Sequence, residues 1–228
     1  MDSFSLIFSK IPERFSQFHL MQLLARDPPS RQLAVVGRMA LLEEVFQGSE
    51  NPKKYLNKIL NARVYDVATE TPLEEAAKLS VRLANNVLVK REDLQPVFSF
   101  KLRGAYTKIL SLSAAERERG IIAASVGNHA QGVALAARKL GVPATIVMPR
   151  TTPEIKIEAV GNWSPRIVLH GDDYQEAYEK SLEIAEADGL SYVHAYDDPE
   201  IIAGQGTVGM EILRQYTGDI HAIFVPMG

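Results

Sequence analysis

Two regularities in this 228-residue sequence predict an α/β protein, an open, doubly wound, mainly parallel sheet or two such sheets with flanking helices. Short β-rich or apolar runs recur with centres roughly every 20 to 30 residues, the repeat length of a βα unit. Helix-start signals fall between them. The runs are Val87-Leu88-Val89, Ile121-Ile122-Ala123-Ala124, Ala144-Thr145-Ile146-Val147-Met148, Ile167-Val168-Leu169, Tyr192-Val193 and Ala222-Ile223-Phe224-Val225. Thr71-Pro72-Leu73-Glu74 reads as a helix start, with Thr as N-cap, Pro at the first helical position and Glu returning a capping-box bond. Ser113-Ala114-Ala115-Glu116, Thr152-Pro153 and Asp198-Pro199 are starts of the same kind. Ala130 to Leu140 reads as a helix with Val133, Ala136, Ala137 and Leu140 on one side, stopped by Gly141-Val142-Pro143. Asp173 to Ala187 reads as another, turning Tyr174, Ala177, Tyr178, Leu182 and Ala185 to a core and stopping at Gly189.

Composition narrows the function classes. With 46% hydrophobic and 23% charged residues, the chain is that of an ordinary globular protein. Its 25 Lys and Arg against 28 Asp and Glu leave a net charge of −3, which argues against a nucleic-acid groove or an anionic membrane surface as partner. The absence of cysteine excludes disulfides, thiolate metal sites and a cysteine nucleophile. No His or carboxylate set has metal-ligand spacing. The uncharged stretch Gly120 to Ala137 is broken by Gly127-Asn128-His129 and Gln131-Gly132, so it does not read as a membrane span. Residues 1–50 stand apart: they carry five of the eight Phe, a Pro28-Pro29 break and several Ser. They read as an N-terminal extension, either disordered or an organelle transit peptide.

Doubly wound folds bind ligands at the carboxyl ends of strands, so the strand-to-helix loops are where chemistry is sought. After Ile121–Ala124 comes Ser125-Val126-Gly127-Asn128-His129-Ala130-Gln131-Gly132. Its glycine permits a tight turn, and the free N–H groups of the following helix favour an anion. Asn128 could equally be a plain N-cap with Gln131 completing a capping box, and His129 a packed or solvated histidine. The loop lacks Gly-x-Gly-x-x-Gly, so no dinucleotide fingerprint is present. The second candidate is Lys101, flanked by Phe100 and Leu102 where a helix could begin. Apolar company and a helix N-terminus both lower an amine pKa, favouring the nucleophilic neutral form and Schiff-base chemistry; a surface lysine on a helix is the alternative. The charge-rich stretches Glu74-Glu75, Glu116 to Arg119 and Glu183 to Asp188 read as solvated helix faces.

Lys90-Arg91-Glu92-Asp93-Leu94-Gln95-Pro96-Val97-Phe98-Ser99-Phe100-Lys101-Leu102-Arg103-Gly104-Ala105 closely resembles the lysine segment of the biosynthetic threonine dehydratases, also called threonine deaminases or threonine ammonia-lyases. Ser125 to Gly132 is similar to that family's Ser-Ala-Gly-Asn-His-Ala-Gln-Gly loop, and Gly204-Gln205-Gly206-Thr207 to a further segment. The resemblance runs from about Tyr55 to Gly228 and is closest in wording to plant enzymes.

The resemblance implies the fold type II, tryptophan synthase β-like architecture of pyridoxal 5'-phosphate enzymes, with the cofactor in the cleft between two α/β domains. The expected division of residues 51–228 is a large-domain part at about 51–117 and 200–228 and a small domain at about 118–199. By the same resemblance Lys101 is the catalytic residue and binds the cofactor covalently, Phe100 packs beside its ring, Asn128 hydrogen-bonds its 3-hydroxyl, and Ser125, Gly127, Asn128 and His129 hold the substrate carboxylate. Gly228 is the first glycine of the family's phosphate-binding loop. The chain is expected to be C-terminally truncated and its fold incomplete, since the rest of that loop, the remainder of the large domain and the regulatory domain would follow. The implied activity is that of a lyase: α,β-elimination deaminates L-threonine to 2-oxobutyrate and ammonia, the first step of isoleucine and so of branched-chain amino-acid biosynthesis. L-serine is a second expected substrate, a homo-oligomer the expected assembly and the chloroplast the expected location. Two other readings stay open, a related serine dehydratase or racemase and a non-catalytic fragment without a complete cofactor site. Val126, Ala195-Tyr196 and Asn162-Trp163-Ser164-Pro165 depart from the family wording.

Overall fold

The structure, a computed structural model, describes residues 52–225; the extension 1–50 and Gly228 lie outside the described residues. Helix α1 (Pro52–Asn61) and a 3-10 turn (Val64–Asp66) precede an antiparallel ribbon of β1 (Leu73–Glu75) and β2 (Leu88–Lys90), linked through α2 (Ala77–Leu83). A second 3-10 turn (Glu92–Leu94) leads to α3 (Lys101–Ser111) and α4 (Ala114–Arg119). The chain then alternates: β3 (Ile121–Ala124), α5 (Asn128–Leu140), β4 (Ala144–Met148), α6 (Glu154–Gly161), β5 (Arg166–Leu169), α7 (Tyr174–Asp188), β6 (Ser191–Tyr192) and α8 (Pro199–Gln215).

Strands β3 to β6 form one parallel sheet in the order β5-β4-β3-β6. Strand β3 is wholly buried and reads as a continuous apolar run because helices cover both faces. Ile121, Ala123, Ile146 and Met148 face Val133, Ala134 and Ala137 of α5, and Ile122 and Val147 face Ala177 of α7. Winding proceeds outward from β3 to β4 and β5, then α7 returns the chain to the other side of β3 as β6. The strand order therefore reverses between β3 and β6, which creates a crevice at their carboxyl ends.

Local sequence sets the boundaries. Ser113 and Glu116 close a full capping box on α4. Asp173 accepts from the Glu176 N–H at the start of α7, and Asp198 caps α8 with Pro199 at its first position. Gly141 and Gly189 end α5 and α7 at φ of 66° and 65°, the left-handed region that glycine enters without a Cβ clash.

Four expectations are corrected. Thr71-Pro72 starts a strand and not a helix: the Thr71 hydroxyl donates to Glu92 Oε1 at 2.6 Å, and Pro72 accepts from the Arg91 N–H. The run at Val87–Val89 joins the antiparallel ribbon and not the parallel sheet. Residues 222–225 form no strand; they have no ladder partner among the described residues, and Phe224 is 90% exposed. On α7 the buried positions are Ala177 and Ser181, while Tyr174 and Leu182 are exposed, because the helix rests on the sheet through its small residues.

Helix α3 packs against both α5 and α8. A Cβ on Gly204 would meet the Arg103 carbonyl oxygen and the Gly104 Cα at 2.6 Å each, so α8 crosses α3 at backbone contact. Gly204→Ala should therefore lower the unfolding free energy by about 1–3 kcal/mol, read as a lower urea midpoint at an unchanged slope.

Candidate active site

The lysine at the head of α3 is half-buried and is not placed as a surface lysine would be. Phe100 is the N-cap of α3 and Lys101 its first residue. The Lys101 ammonium lies 5.4 Å from the Phe100 ring centroid, and Nζ donates to the carbonyl of Ala195 at 3.0 Å. Burial pulls the amine below its ordinary pKa, and no carboxylate pairs with it among the described residues. The surface-lysine alternative is thus displaced.

Glycine fixes where that lysine sits. A Cβ on Gly132 would come within 2.9 Å of Leu102 N and 3.0 Å of the Lys101 carbonyl carbon, so α5 and the head of α3 touch through backbone. The loop at the N-terminus of α5 is thereby brought beside the lysine.

Within that loop Ser125 carries the turn. Its Oγ accepts from the Gly127 N–H at 3.3 Å and the Ala130 N–H at 3.2 Å, leaving its own O–H to donate. Ser125, and not Asn128, does the capping; Gly127 is the N-cap residue and Asn128 opens the helix with its side chain exposed. The expected Asn128–Gln131 box does not form. The N–H groups of Asn128 and His129 have no acceptor among the described residues, and open space lies beside the Gly127 Cα. Two unspent donors at a helix N-terminus, with the Ser125 hydroxyl beside them, suit a carboxylate.

His129 is buried, 4% exposed, and its Nε2–H donates to the carbonyl of Val193 at 3.0 Å. Its Nδ1 has no partner among the described residues. Burial lowers its pKa to about 4, against the Val193 hydrogen bond and with a further push from Lys101 and His194. The imidazole is neutral at pH 7. Val193 and Ala195 follow β6, so Lys101 and His129 are tied to one short segment at the strand-order reversal. Neither carbonyl carries a side-chain signal in the sequence. Gly127-Asn128-His129 and Lys101 are the sequence's pointers to this corner of the fold.

Behind the lysine lies a buried ionic cluster. Arg103 is fully enclosed and donates to Glu92 from Nε (2.9 Å) and Nη2 (2.8 Å) and to Glu211 from Nη1 (2.6 Å) and Nη2 (3.1 Å), with Thr207 and the Thr69 carbonyl taking further bonds. Lys90 reaches Glu211 at 2.6 Å, so two cations balance two carboxylates. Burial raises the Glu211 carboxyl, but bonds from Arg103 and Lys90 outweigh it and hold the group below its usual range. Removing one partner from such a cluster costs about 3–5 kcal/mol, because a charge is left buried alone. The Gly204–Thr207 segment belongs here, as packing and as a ligand of Arg103.

Among the described residues no group of three His, Asp or Glu could hold a metal, and no helix is long and apolar enough to cross a membrane. A desolvated lysine on a helix packed at backbone distance against a second helix whose first N–H groups are unspent, at a doubly wound switch point, fits a carbonyl cofactor bound through its aldehyde. The sequence profile described as pyridoxal-phosphate dependent enzyme matches residues 64–228, and the chain belongs to that family. Its fold is that of the fold type II pyridoxal-phosphate enzymes.

Its relatives are more particular. The chain is 58% identical over 177 residues to the L-threonine dehydratase biosynthetic IlvA of Burkholderia multivorans, covering 76% of this chain and 35% of the relative. It is 57% identical over 175 residues to the chloroplastic biosynthetic threonine dehydratase of Arabidopsis thaliana, covering 77% and 30%. The solved structure of the processed form of threonine deaminase isoform 2 from Solanum lycopersicum superposes with a TM-score of 0.71 at 53% identity, over 75% of this chain and 50% of that one. The chain thus spans about a third of the length of the curated relatives it matches.

The burial of neutral His129 gives a pH dependence. Its folded pKa of about 4 lies below the ordinary 6.5, so between these values the unfolded chain binds more protons and stability falls as pH drops. The loss should reach roughly 3 kcal/mol by pH 4, measured as a falling urea midpoint that flattens over this window in His129→Gln.

Proposed function

We propose that this chain carries the lysine-bearing part of a pyridoxal-phosphate dependent L-threonine ammonia-lyase, acting at the entry to isoleucine biosynthesis. The observation that carries this reading is the desolvated Lys101 amine beside the unspent N–H groups of Asn128 and His129. Threonine dehydratase wording in its relatives supports the substrate. The residues present fit the cofactor: Lys101 would hold it covalently, Phe100 would pack against it and Asn128, exposed at the loop tip, would meet its ring hydroxyl. When bound, the cofactor supplies an electron sink for the pair of electrons left at Cα. The Asn128 and His129 N–H groups and the Ser125 hydroxyl hold the substrate carboxylate and so fix which Cα bond stands in reach of Lys101. The Lys101 amine, whose pKa burial lowers, takes the Cα proton on Nζ once it is unprotonated. Loss of the β-hydroxyl as water and hydrolysis of the resulting enamine give 2-oxobutyrate and ammonia, with the water consumed equal to the water released. In this reading residues 118–199 form the small domain, 51–117 with 200–228 belong to the large one, and Gly228 contributes to the phosphate site.

Borohydride reduction of the chain with pyridoxal phosphate, followed by peptide mapping, should label Lys101 and leave Lys101→Ala unlabelled, and the wild type should form 2-oxobutyrate from L-threonine faster than pyruvate from L-serine. Labelling scattered over surface lysines would overturn the assignment of Lys101, and serine preference would overturn the substrate. We also propose plastid delivery, supported by the leader composition and the chloroplastic relative. A fluorescent fusion of residues 1–50 should enter plastids; a fusion left in the cytosol refutes it.

A further inference from the structure

The side chain of His129 does not face the place where its own N–H and that of Asn128 await an anion. It is buried, and its one bond runs to the carbonyl of Val193. Two residues further along, the carbonyl of Ala195 accepts the Lys101 ammonium or amine at 3.0 Å. Between them His194 accepts the N–H groups of Tyr196 (3.2 Å) and Asp197 (2.8 Å) at its Nδ1, which folds 194–197 into a turn. The segment is held by the Val193 N–H to Ile122 in the sheet, by the Val193 side chain in the core, by His129 from α5, and by its own turn. Of these, the bond from His129 is the one made to the Val193 carbonyl, on the side of the chain that leads to Ala195. Lys101 has four rotatable bonds, and an unheld amine at the end of such a chain samples many positions.

We infer that His129 is a positioning residue for Lys101: by tethering the Val193 carbonyl it sets the register of the segment whose Ala195 carbonyl receives the lysine amine when that amine is free. The inference deepens the proposed function, because a lysine that alternately holds a cofactor and takes a proton needs a defined resting acceptor between those tasks. A backbone carbonyl suits that task. It cannot be protonated in the working pH range, it accepts from the neutral amine and the ammonium alike, and it offers no carboxylate that would hold the amine charged. The titratable groups that act on His129 are Lys101 at the head of α3 and His194 on the segment itself. His129 is unprotonated above about pH 4, so its tether acts through position and not through charge.

The test needs no turnover. In the cofactor-free full chain, the pH profile of competitive acetylation of each lysine, read by mass spectrometry, gives the inflection of Lys101 against that of exposed Lys139. His129→Gln keeps a donor at the Nε2 position and should retain the wild-type Lys101 profile. His129→Leu keeps the volume without the donor; the freed segment admits water to the amine, and the Lys101 inflection should move up by about one unit, a tenfold fall in neutral amine below it. The Lys139 profile should not change in either variant. An unmoved Lys101 profile in His129→Leu, or equal shifts in both variants, overturns the inference. Should His129→Leu fail to fold, the wild type still decides: nitrogen NMR should show an Nε2-protonated, Nδ1-bare tautomer persisting down to about pH 5, and an Nδ1-protonated or exchanging ring overturns it. Loss of threonine turnover with these results intact would count against the proposed substrate and leave the tether standing.

Discussion

Gly132 has no side chain, and the backbone of Lys101 and Leu102 occupies the space where one would stand. That single contact sets the distance between α5 and the head of α3, and the site depends on it. The lysine comes from one helix start, the anion-facing N–H groups from another. Two helices that meet at such close range must present glycine at the crossing. A methyl group there would push the two starts apart, and positions a fraction of an ångström off lose much of the advantage of a prearranged site.

The same helix is pinned from behind by charge. Arg103 lies two residues after Lys101, fully enclosed, with Glu92 from the 3-10 turn and Glu211 from α8 sharing its guanidinium. A planar fork with several donors joins three separate parts of the chain, which an apolar contact of similar size would do with less directional control. Its stabilisation is conditional on completeness. The price of burying the four charges is offset only while all four are present.

Burial also divides labour between two neighbouring bases. Lys101 is desolvated enough to lower its pKa and keeps its nitrogen at the edge of the crevice; His129 is enclosed and stays neutral over the working range. One is a candidate for proton transfer and the other for holding backbone. Their adjacency in the site and difference in exposure follow from position on their helices, since His129 at the second position of α5 points back to the sheet while Lys101 opens α3.

The order of strands and helices from Ile121 to Leu190 was legible in the residues, because apolar runs buried on both faces and capping residues are local signals. Lys101 and the Ser125–His129 loop were singled out by their resemblance to a family's wording, since their own spacing left a surface lysine and a plain N-cap open. Locally ambiguous pieces were read less well: Thr71-Pro72 has the wording of a helix start, and only the distant Glu92 takes its hydroxyl away. Side-chain period gave the face of α5 but not of α7, where the small residues and not the large ones meet the sheet. What the sequence by itself determined is which residues are capable of the chemistry and where each element begins. Tertiary structure alone decided that Asn128 leaves the capping to Ser125, that the acceptor of Lys101 is a backbone carbonyl of Ala195, and that His129 is enclosed. Carbonyl acceptors and burial depend on what packs from elsewhere in the chain, and no residue's own side chain encodes them.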